Sequence, residues 1–353
     1  MKKVFKVIHS SLAGPLGLII TVICLSGAIL VFETEIMEWT HHDRYFAKGA
    51  TGNPLPLNEL IAKVNAQLEN NSVASVQIPS DPKRNYTLGL SEGFRNSVYV
   101  NPTTGEIIET VQFGEGFFGK MRQLHRWLLD GTRKIGKPVV GYTTLLFVFI
   151  LISGLVIWWP KSRKHRKQHF QVTTQYGRKR FWLDMHTTIG MYAFTGLLLL
   201  ALTGLSIQSG GHGHGGKNQS GKGGHSKPKE LNTMQWPSVL TEMQAANPNY
   251  KTIAIQDGSA TVVQKFTFEN ARASDKYTFD AATGKITDVQ MYENQPRATK
   301  IRGWIYTLHV GSWGGWFSKT LMFIVSLIGA SLPVTGYYIY FVRRKKRLPL
   351  SRL

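Results

Sequence analysis

Cysteine is almost absent from this chain of 353 residues: the single one, Cys24, lies inside an apolar run and has no partner. Disulfides therefore cannot staple any part of the fold, even in an oxidising compartment, and a thiolate site is excluded. Acidic residues are also scarce, 21 against 42 Lys and Arg, which leaves a formal net charge of +21. No charge at all falls within four long stretches, Ser11 to Phe32, Val139 to Trp159, Thr187 to Ile207 and Thr320 to Val342. Nothing reads as a strand, a Gly-x-Gly-x-x-Gly turn and a helix in succession, so the chain holds no NADPH or flavin domain of its own.

About 20 apolar residues at about 1.5 Å each span a hydrocarbon core, so each of the four runs predicts one membrane crossing. The first run follows Lys2 and Lys3, as a signal peptide would. Its length and the lack of a small-x-small cleavage site before Glu33 and Glu35 favour a retained helix. Two polar stretches, about 33 to 138 and 208 to 318, lie between crossings, and each is long enough for a small domain.

The location of the charge argues against nucleic acid as a partner. The N-terminus, the loop 160 to 180 and the tail after Val342 carry 17 Lys and Arg and no acidic residue, whereas the two large stretches are nearly balanced at 24 basic and 20 acidic. Positive charge on alternate connections predicts that both termini and the short loop are cytoplasmic and that both large stretches face outward.

The chain repeats itself. HSSLAGPLGLIITVICLSG from His9 aligns with HTTIGMYAFTGLLLLALTG from His186, and Ser26-Gly27 falls at the offset of Thr203-Gly204. YVNPTTGEI ending at Ile107 matches TFDAATGKI ending at Ile286; Gly105 lies 96 residues after His9 and Gly284 lies 98 after His186. Leu124-His125 then answers Leu308-His309, and Ser153-Gly154 answers Thr335-Gly336. The pattern predicts helix, outer domain, helix, repeated once in the same orientation.

The expected fold class is thus a four-helix membrane bundle with two outward α+β domains and an internal duplication. Its expected segments are a cytoplasmic 1–10, helix 11–32, a first outer domain with an interfacial helix 33–138, helix 139–159, a basic cytoplasmic loop 160–186, helix 187–207, a linker 208–230, a second outer domain with an interfacial helix 231–319, helix 320–342 and a basic tail 343–353. Within the first domain, Asn58 opens an amphipathic helix, and Val73 to Ile78, Tyr86 to Leu90 and Val98 to Val100 read as strands before the Asn101-Pro-Thr-Thr-Gly turn. In the second, Val239 to Ala246 reads as helix, and Thr252 to Ile255, Thr261 to Phe268 and Lys276 to Phe279 as strands. The linker GGHGHGGKNQSGKGGHSKPK cannot bury enough apolar surface to fold alone.

Four histidines flank the crossings: His9 and His186 near the cytoplasmic face, His125 and His309 near the outer face. One interfacial histidine is commonplace, but four at matching positions of a repeat are not. Each face receives one imidazole from each half, and a buried b-type haem takes one neutral imidazole from each of two facing helices. The pattern points to two b-type haems stacked across the membrane and to transmembrane electron transfer.

Arg122, Arg126 and Arg302 are candidates to neutralise haem propionates, or equally interfacial anchors. Trp127, Trp304, Trp313 and Trp316 suit a macrocycle contact or an aromatic belt. His212, His214 and His225 in the linker are candidates for weak transition-metal binding, though a solvated tract lacks fixed geometry. His41 and His42 are placed to assist an outer site, and His165 and His169 read as bystanders.

These features together resemble the PepSY-associated transmembrane family. The likeness rests on the histidine opening a helix that ends near Ser/Thr-Gly, the Pro-x-Thr-Gly-Glu turn (Asn101 to Glu106), LHRWLL (124 to 129) and LHVGSWGG (308 to 315) before a last helix with Thr-Gly and basic residues, and it covers nearly the whole chain. The resemblance implies outward PepSY domains in the bacterial inner membrane and, in its iron-regulated branch, a di-haem reductase that releases iron from ferric siderophores or other ferric chelates. Its haem ligands carry over to His9, His125, His186 and His309. The His-Gly-Lys linker departs from the family pattern and leaves the substrate open. A cytoplasmic reductase or a membrane quinol is the implied donor. The rival expectations are a non-enzymatic PepSY binding or regulatory protein and a periplasmic metal carrier using the linker histidines.

Overall fold

A computed structural model describes residues 2–48, 53–69, 71–92, 96–112, 114–160, 170–209, 233–265 and 270–345. The chain divides into two compact units. One, helical, comprises residues 1–32, 116–212 and 308–353; the other, built on a sheet, comprises 33–115 and 213–307.

In the helical unit four helices are long and apolar enough to cross a membrane: α1 (Lys2–Val31), α6 (Gly136–Trp158), the pair α7 (Gly177–Asp184) and α8 (Gly190–Ser209), and α11 (Gly315–Lys345). The chain is a membrane protein. α7 and α8 are joined by a π turn at Met185–Ile189, so they run as one rod. This helix starts ten residues before the apolar run at Thr187, inside the stretch expected to be a basic loop. Hydropathy marks only the part of a helix that meets hydrocarbon, whereas the hydrogen-bond ladder continues into the polar layer.

The helices form a ring in which α1 packs on α11 and α6, and α8 packs on the same two. Small residues permit the close approach: a Cβ on Gly17 would lie 2.6 Å from the Tyr337 hydroxyl, and one on Gly329 would lie 2.7 Å from Leu197 and 3.0 Å from the Cys24 sulfur. Thr21 donates to the Ala330 carbonyl at 3.1 Å. Leu151, Ala193, Leu197 and Val325 make the bundle core. Leu18, Phe149 and Phe341 stay exposed, as lipid-facing side chains do.

The sheet unit holds α2 (Glu33–Thr40), α3 (His42–Tyr45), α4 (Leu57–Gln67), β1 (Val73–Pro79), β2 (Tyr86–Leu90), β3 (Asn96–Val100) and β4 (Ile107–Gln112). It also holds α9 (Trp236–Ala246), β5 (Tyr250–Gln256), β6 (Ser259–Gln264), β7 (Asp275–Phe279), β8 (Ile286–Gln290) and α10 (Arg297–Val310) as far as Thr307. Alternation of buried and exposed side chains explains the strands; β7, for instance, buries Asp275, Tyr277 and Phe279. β4 and β8, missed in the sequence, lie beyond the turns at the sheet margins, where their mostly exposed side chains weaken the hydrophobic pattern.

Both turns close alike. Asn101 Oδ1 accepts from the amide and hydroxyl of Thr103, and Gly105 (φ +75°) donates to the Asn101 carbonyl at 2.9 Å. Asp280 Oδ1 accepts from the amide and hydroxyl of Thr283, and Gly284 (φ +75°) donates to the Asp280 carbonyl at 2.8 Å. A left-handed residue is required at each, which only glycine supplies without steric cost.

The strands of the two polar stretches share one sheet. All eight strands form one antiparallel sheet, in the order β4-β3-β2-β1-β5-β6-β7-β8. β1 pairs with β5 from Ser75↔Gln256 to Pro79↔Thr252. That pairing removes two open edges, which are otherwise sites of unwanted association. It also merges the cores: Leu60 and Val64 of α4, Val239 and Met243 of α9, and the inward side chains of the sheet form one cluster.

Candidate functional site

Both imidazole pairs lie in the helical unit. His9 of α1 stands beside His186 in the π turn, with ring centres 6.3 Å apart and planes at 87°. His125 of α5 (Gly116–Trp127) stands beside His309 of α10, with centres 6.1 Å apart and planes at 47°. Each pair takes one ring from each half of the chain. A π turn re-aims the side chains that follow it, and such bulges concentrate at functional positions.

The same device holds all four rings. His9 Nδ1–H donates to the Ile150 carbonyl at 3.0 Å and lies 3.1 Å from Ser153 Oγ. His186 Nδ1–H donates to the Leu332 carbonyl at 3.1 Å and contacts Thr335 Oγ1 at 2.9 Å. His125 Nδ1–H donates to the Ile23 carbonyl at 2.9 Å, with Ser26 Oγ at 3.5 Å. His309 Nδ1–H reaches Thr203 Oγ1 at 3.0 Å, and the Leu200 backbone also accepts. In every case the acceptors are a Ser or Thr and the carbonyl three residues before it.

Because a carbonyl accepts only, Nδ1 carries the proton of a neutral ring and Nε2 keeps the lone pair. The hydroxyls agree: Thr203 donates its own proton to the Leu199 carbonyl at 2.6 Å, so towards His309 its oxygen accepts. Four imidazoles are thus presented with Nε2 as the nitrogen available to a metal.

The residue after each Ser or Thr is glycine, and each of these glycines faces a ring. An added Cβ would stand 2.9 Å from His125 Cε1 at Gly27, 3.3 Å from His9 Cε1 at Gly154, 3.2 Å from His309 Cε1 at Gly204 and 3.4 Å from His186 Cε1 at Gly336. The Ser/Thr-Gly pairs are therefore the docking surface of the histidines. In the sequence these pairs serve as landmarks of the repeat and of the family likeness; their recurrence beside four histidines is the signal that marks the contacts. The arrangement recurs in each half: His9 docks on α6 and His125 on α1, while His186 docks on α11 and His309 on α8.

The remaining candidates fall out as follows. Arg122 lies one turn before His125 on α5 and is partly buried, which puts it on the same helix face. Arg126 stacks over the Trp127 ring at 5.1 Å, beside Arg133 at 4.4 Å. Arg302 is exposed on α10. Trp304 and Trp316 are exposed, as belt residues are, and Trp316 packs on Phe32 with centres 5.3 Å apart. His41 contacts Thr40 Oγ1 and His42 stacks on Phe46, both local arrangements in the sheet unit. His165, His169, His212, His214 and His225 lie outside the described residues. Among the described residues no group of three or more His, Cys, Asp or Glu converges, so pairs of imidazoles are the metal-ligand sets on offer.

After His125 the backbone turns sharply through Leu128 (φ 52°) and Leu129 (φ 62°), a strained conformation for side chains of this size. Asp130 holds the turn, accepting from the amides of Ile135 and Gly136 at 2.9 Å and from Thr132. These bonds keep its carboxyl well below the usual carboxylate range and cap α6.

Among known families, the one described as the PepSY-associated TM region matches residues 7–343. No curated protein matches the chain.

Proposed function

The chain belongs to the PepSY-associated TM family, and from that premise we propose a di-haem b oxidoreductase of the bacterial inner membrane, His9 and His186 ligating one haem, His125 and His309 the other. The observation that carries this reading is the spacing of the rings. An imidazole nitrogen bonds a metal at about 2 Å and its ring centre lies about 1 Å behind it, so two ligands on opposite sides of one iron stand about 6 Å apart. The two pairs measure 6.3 and 6.1 Å.

The chain's own residues fix everything else about such a site. Carbonyl and hydroxyl acceptors on Nδ1–H lock the tautomer, set the ring orientation and raise the basicity of Nε2, as second-shell partners do for metal-bound histidines. The glycines leave room for the Cε1 edge of each ring against the neighbouring helix. Haem held by these histidines would supply one-electron transfer.

The proposed reaction takes an electron from a cytoplasmic reductase or a membrane quinol and delivers it to a ferric chelate outside, a ferric siderophore by the family resemblance. One electron converts Fe(III) to Fe(II), which hard oxygen donors hold far more weakly, so the metal is released and the chelator is unchanged. The alternation of basic connections supports cytoplasmic termini and a periplasmic sheet unit. The matching turns at Asn101 and Asp280 and the recurrence of the same histidine docking in each half support reading the two halves as an internal duplication in one orientation.

The test is the absorption spectrum of the purified protein with a pyridine haemochrome assay. Dithionite-reduced Soret and alpha bands of b-type haem, at two haems per chain, are expected; a colourless preparation rejects the proposal. A non-enzymatic binding protein is then favoured by one feature of the sheet unit. The sheet carries two polar hollows of about 350 and 220 Å³ that share Gln77 and Thr87; the second is also lined by Glu38 and Tyr45 and by Asn85, whose buried Oδ1 has no partner among the described residues.

A further inference from the structure

Two buried hydrogen-bond donors follow His309 closely in the chain and have no partner among the described residues. Ser312 Oγ and Trp313 Nε1 are both shielded from solvent. An indole N–H can only donate, so Trp313 requires an acceptor that none of the described residues supplies. Buried polar groups are almost always satisfied, and an orphan in a native fold signals a missing ligand, ion or water.

The loop that carries them is rigidly built. Gly311 adopts φ +72° and Gly315 φ +57°. Fully buried Ser318 donates to the Gly311 carbonyl at 2.6 Å and accepts from the Gly314 amide at 2.8 Å. A Cβ on Gly311 would lie 3.0 Å from Met322 and 3.2 Å from the Ser318 carbonyl, so only glycine fits. The backbone of the loop is satisfied by Ser318, and the side chains of residues 312 and 313 are left fixed and unbonded. In the other half, the residues at the same distance from His125 are Leu128 and Leu129, which bring no donor.

We propose that Ser312 and Trp313 together hold a propionate carboxylate of the haem between His125 and His309. The inference rests on the haem reading above and assigns to this chain a carboxylate-binding element that is not duplicated in its first half. A carboxylate offers several acceptor lone pairs, enough for two donors adjacent in the chain, and it is an anion that a membrane-embedded site must neutralise. Of the arginines expected for this purpose, Arg126 stacks on Trp127, Arg302 is exposed and Arg122 is partly buried one turn before His125.

The test uses the full-length protein carrying Ser312→Ala with Trp313→Phe, and Ser312→Thr as the conservative control. Phe keeps the packing of the ring and removes only the N–H. Without its donors the carboxylate bears more negative charge and favours ferric iron. The potential of one haem should therefore fall, with its reduced fraction several-fold lower at a fixed ambient potential near the midpoint, and the other haem should not move. The propionate bending mode in the resonance Raman spectrum should shift in the double variant and stay put in Ser312→Thr. Two haems with unchanged potentials and an unchanged propionate mode would overturn the inference, with water as the occupant. A wild-type protein without haem would overturn the underlying reading instead. Should the double variant fold poorly, Trp313→Phe alone is held to the same two readouts.

Discussion

The rings of His9 and His186 stand nearly perpendicular, at 87°, whereas those of His125 and His309 meet at 47°. The relative angle of two axial imidazoles controls the splitting of the iron orbitals that overlap with them, and perpendicular planes bring those orbitals close in energy. The oxidised protein should therefore show two distinct low-spin EPR signals, the more anisotropic one from the His9/His186 site. Its loss in His9→Ala, with the second signal retained, is the expected result. Two identical signals would contradict the geometry.

Pairing across the halves makes a sharper claim about stoichiometry. His125→Ala and His309→Ala should each lower the haem content from two per chain to one, and the double variant should lose no more than either single one. Additive losses would mean that the two rings do not share an iron.

The glycines behind the rings rank the sensitivity of the sites. A Cβ at Gly27 would crowd His125 Cε1 at 2.9 Å, whereas one at Gly336 would meet His186 Cε1 at an ordinary 3.4 Å. Gly27→Ala should displace the ring, depleting or broadening the haem at His125. Gly336→Ala should leave haem content and spectra close to wild type.

In the sheet unit, Arg44 is 7% exposed and is gripped by Glu109 through two hydrogen bonds of 2.7 and 2.5 Å. The Arg44 hydrogen bond, followed by its charge, holds the Glu109 carboxyl below its ordinary value. A depressed carboxylate stabilises fully above its unfolded-state value and loses that contribution as pH falls through the folded-state one. Glu109 is 41% exposed, so Glu109→Gln should cost only about 1–2 kcal/mol near neutral pH. In urea titrations the gap to wild type should close as the solution is acidified below about pH 4.

One sheet with one core predicts cooperative unfolding of both polar stretches. Trp236, 1% exposed, belongs to the second half of that core, and Trp236→Ala should destabilise the unit by about 3–5 kcal/mol. Amide exchange should then accelerate in β2 and β3 as well as in β5 and β6. Acceleration confined to β5–β8 would indicate two independent domains.

The amino-acid sequence alone determined whatever depends on local chemistry. Four charge-free runs mark four helices long enough to cross a membrane because hydrocarbon excludes charge, Asn101 to Gly105 and Asp280 to Gly284 set two turns because the side chain and glycine close them locally, and matching stretches of sequence put four histidines at corresponding offsets. Tertiary structure alone decided what those histidines rest on. Ile150, Leu332, Ile23 and Leu200 lie more than a hundred residues from the rings they hold, and no periodicity reports a backbone carbonyl. It also joined β1 to β5 across some 180 residues, since an unpaired edge is visible only once the strands are in place.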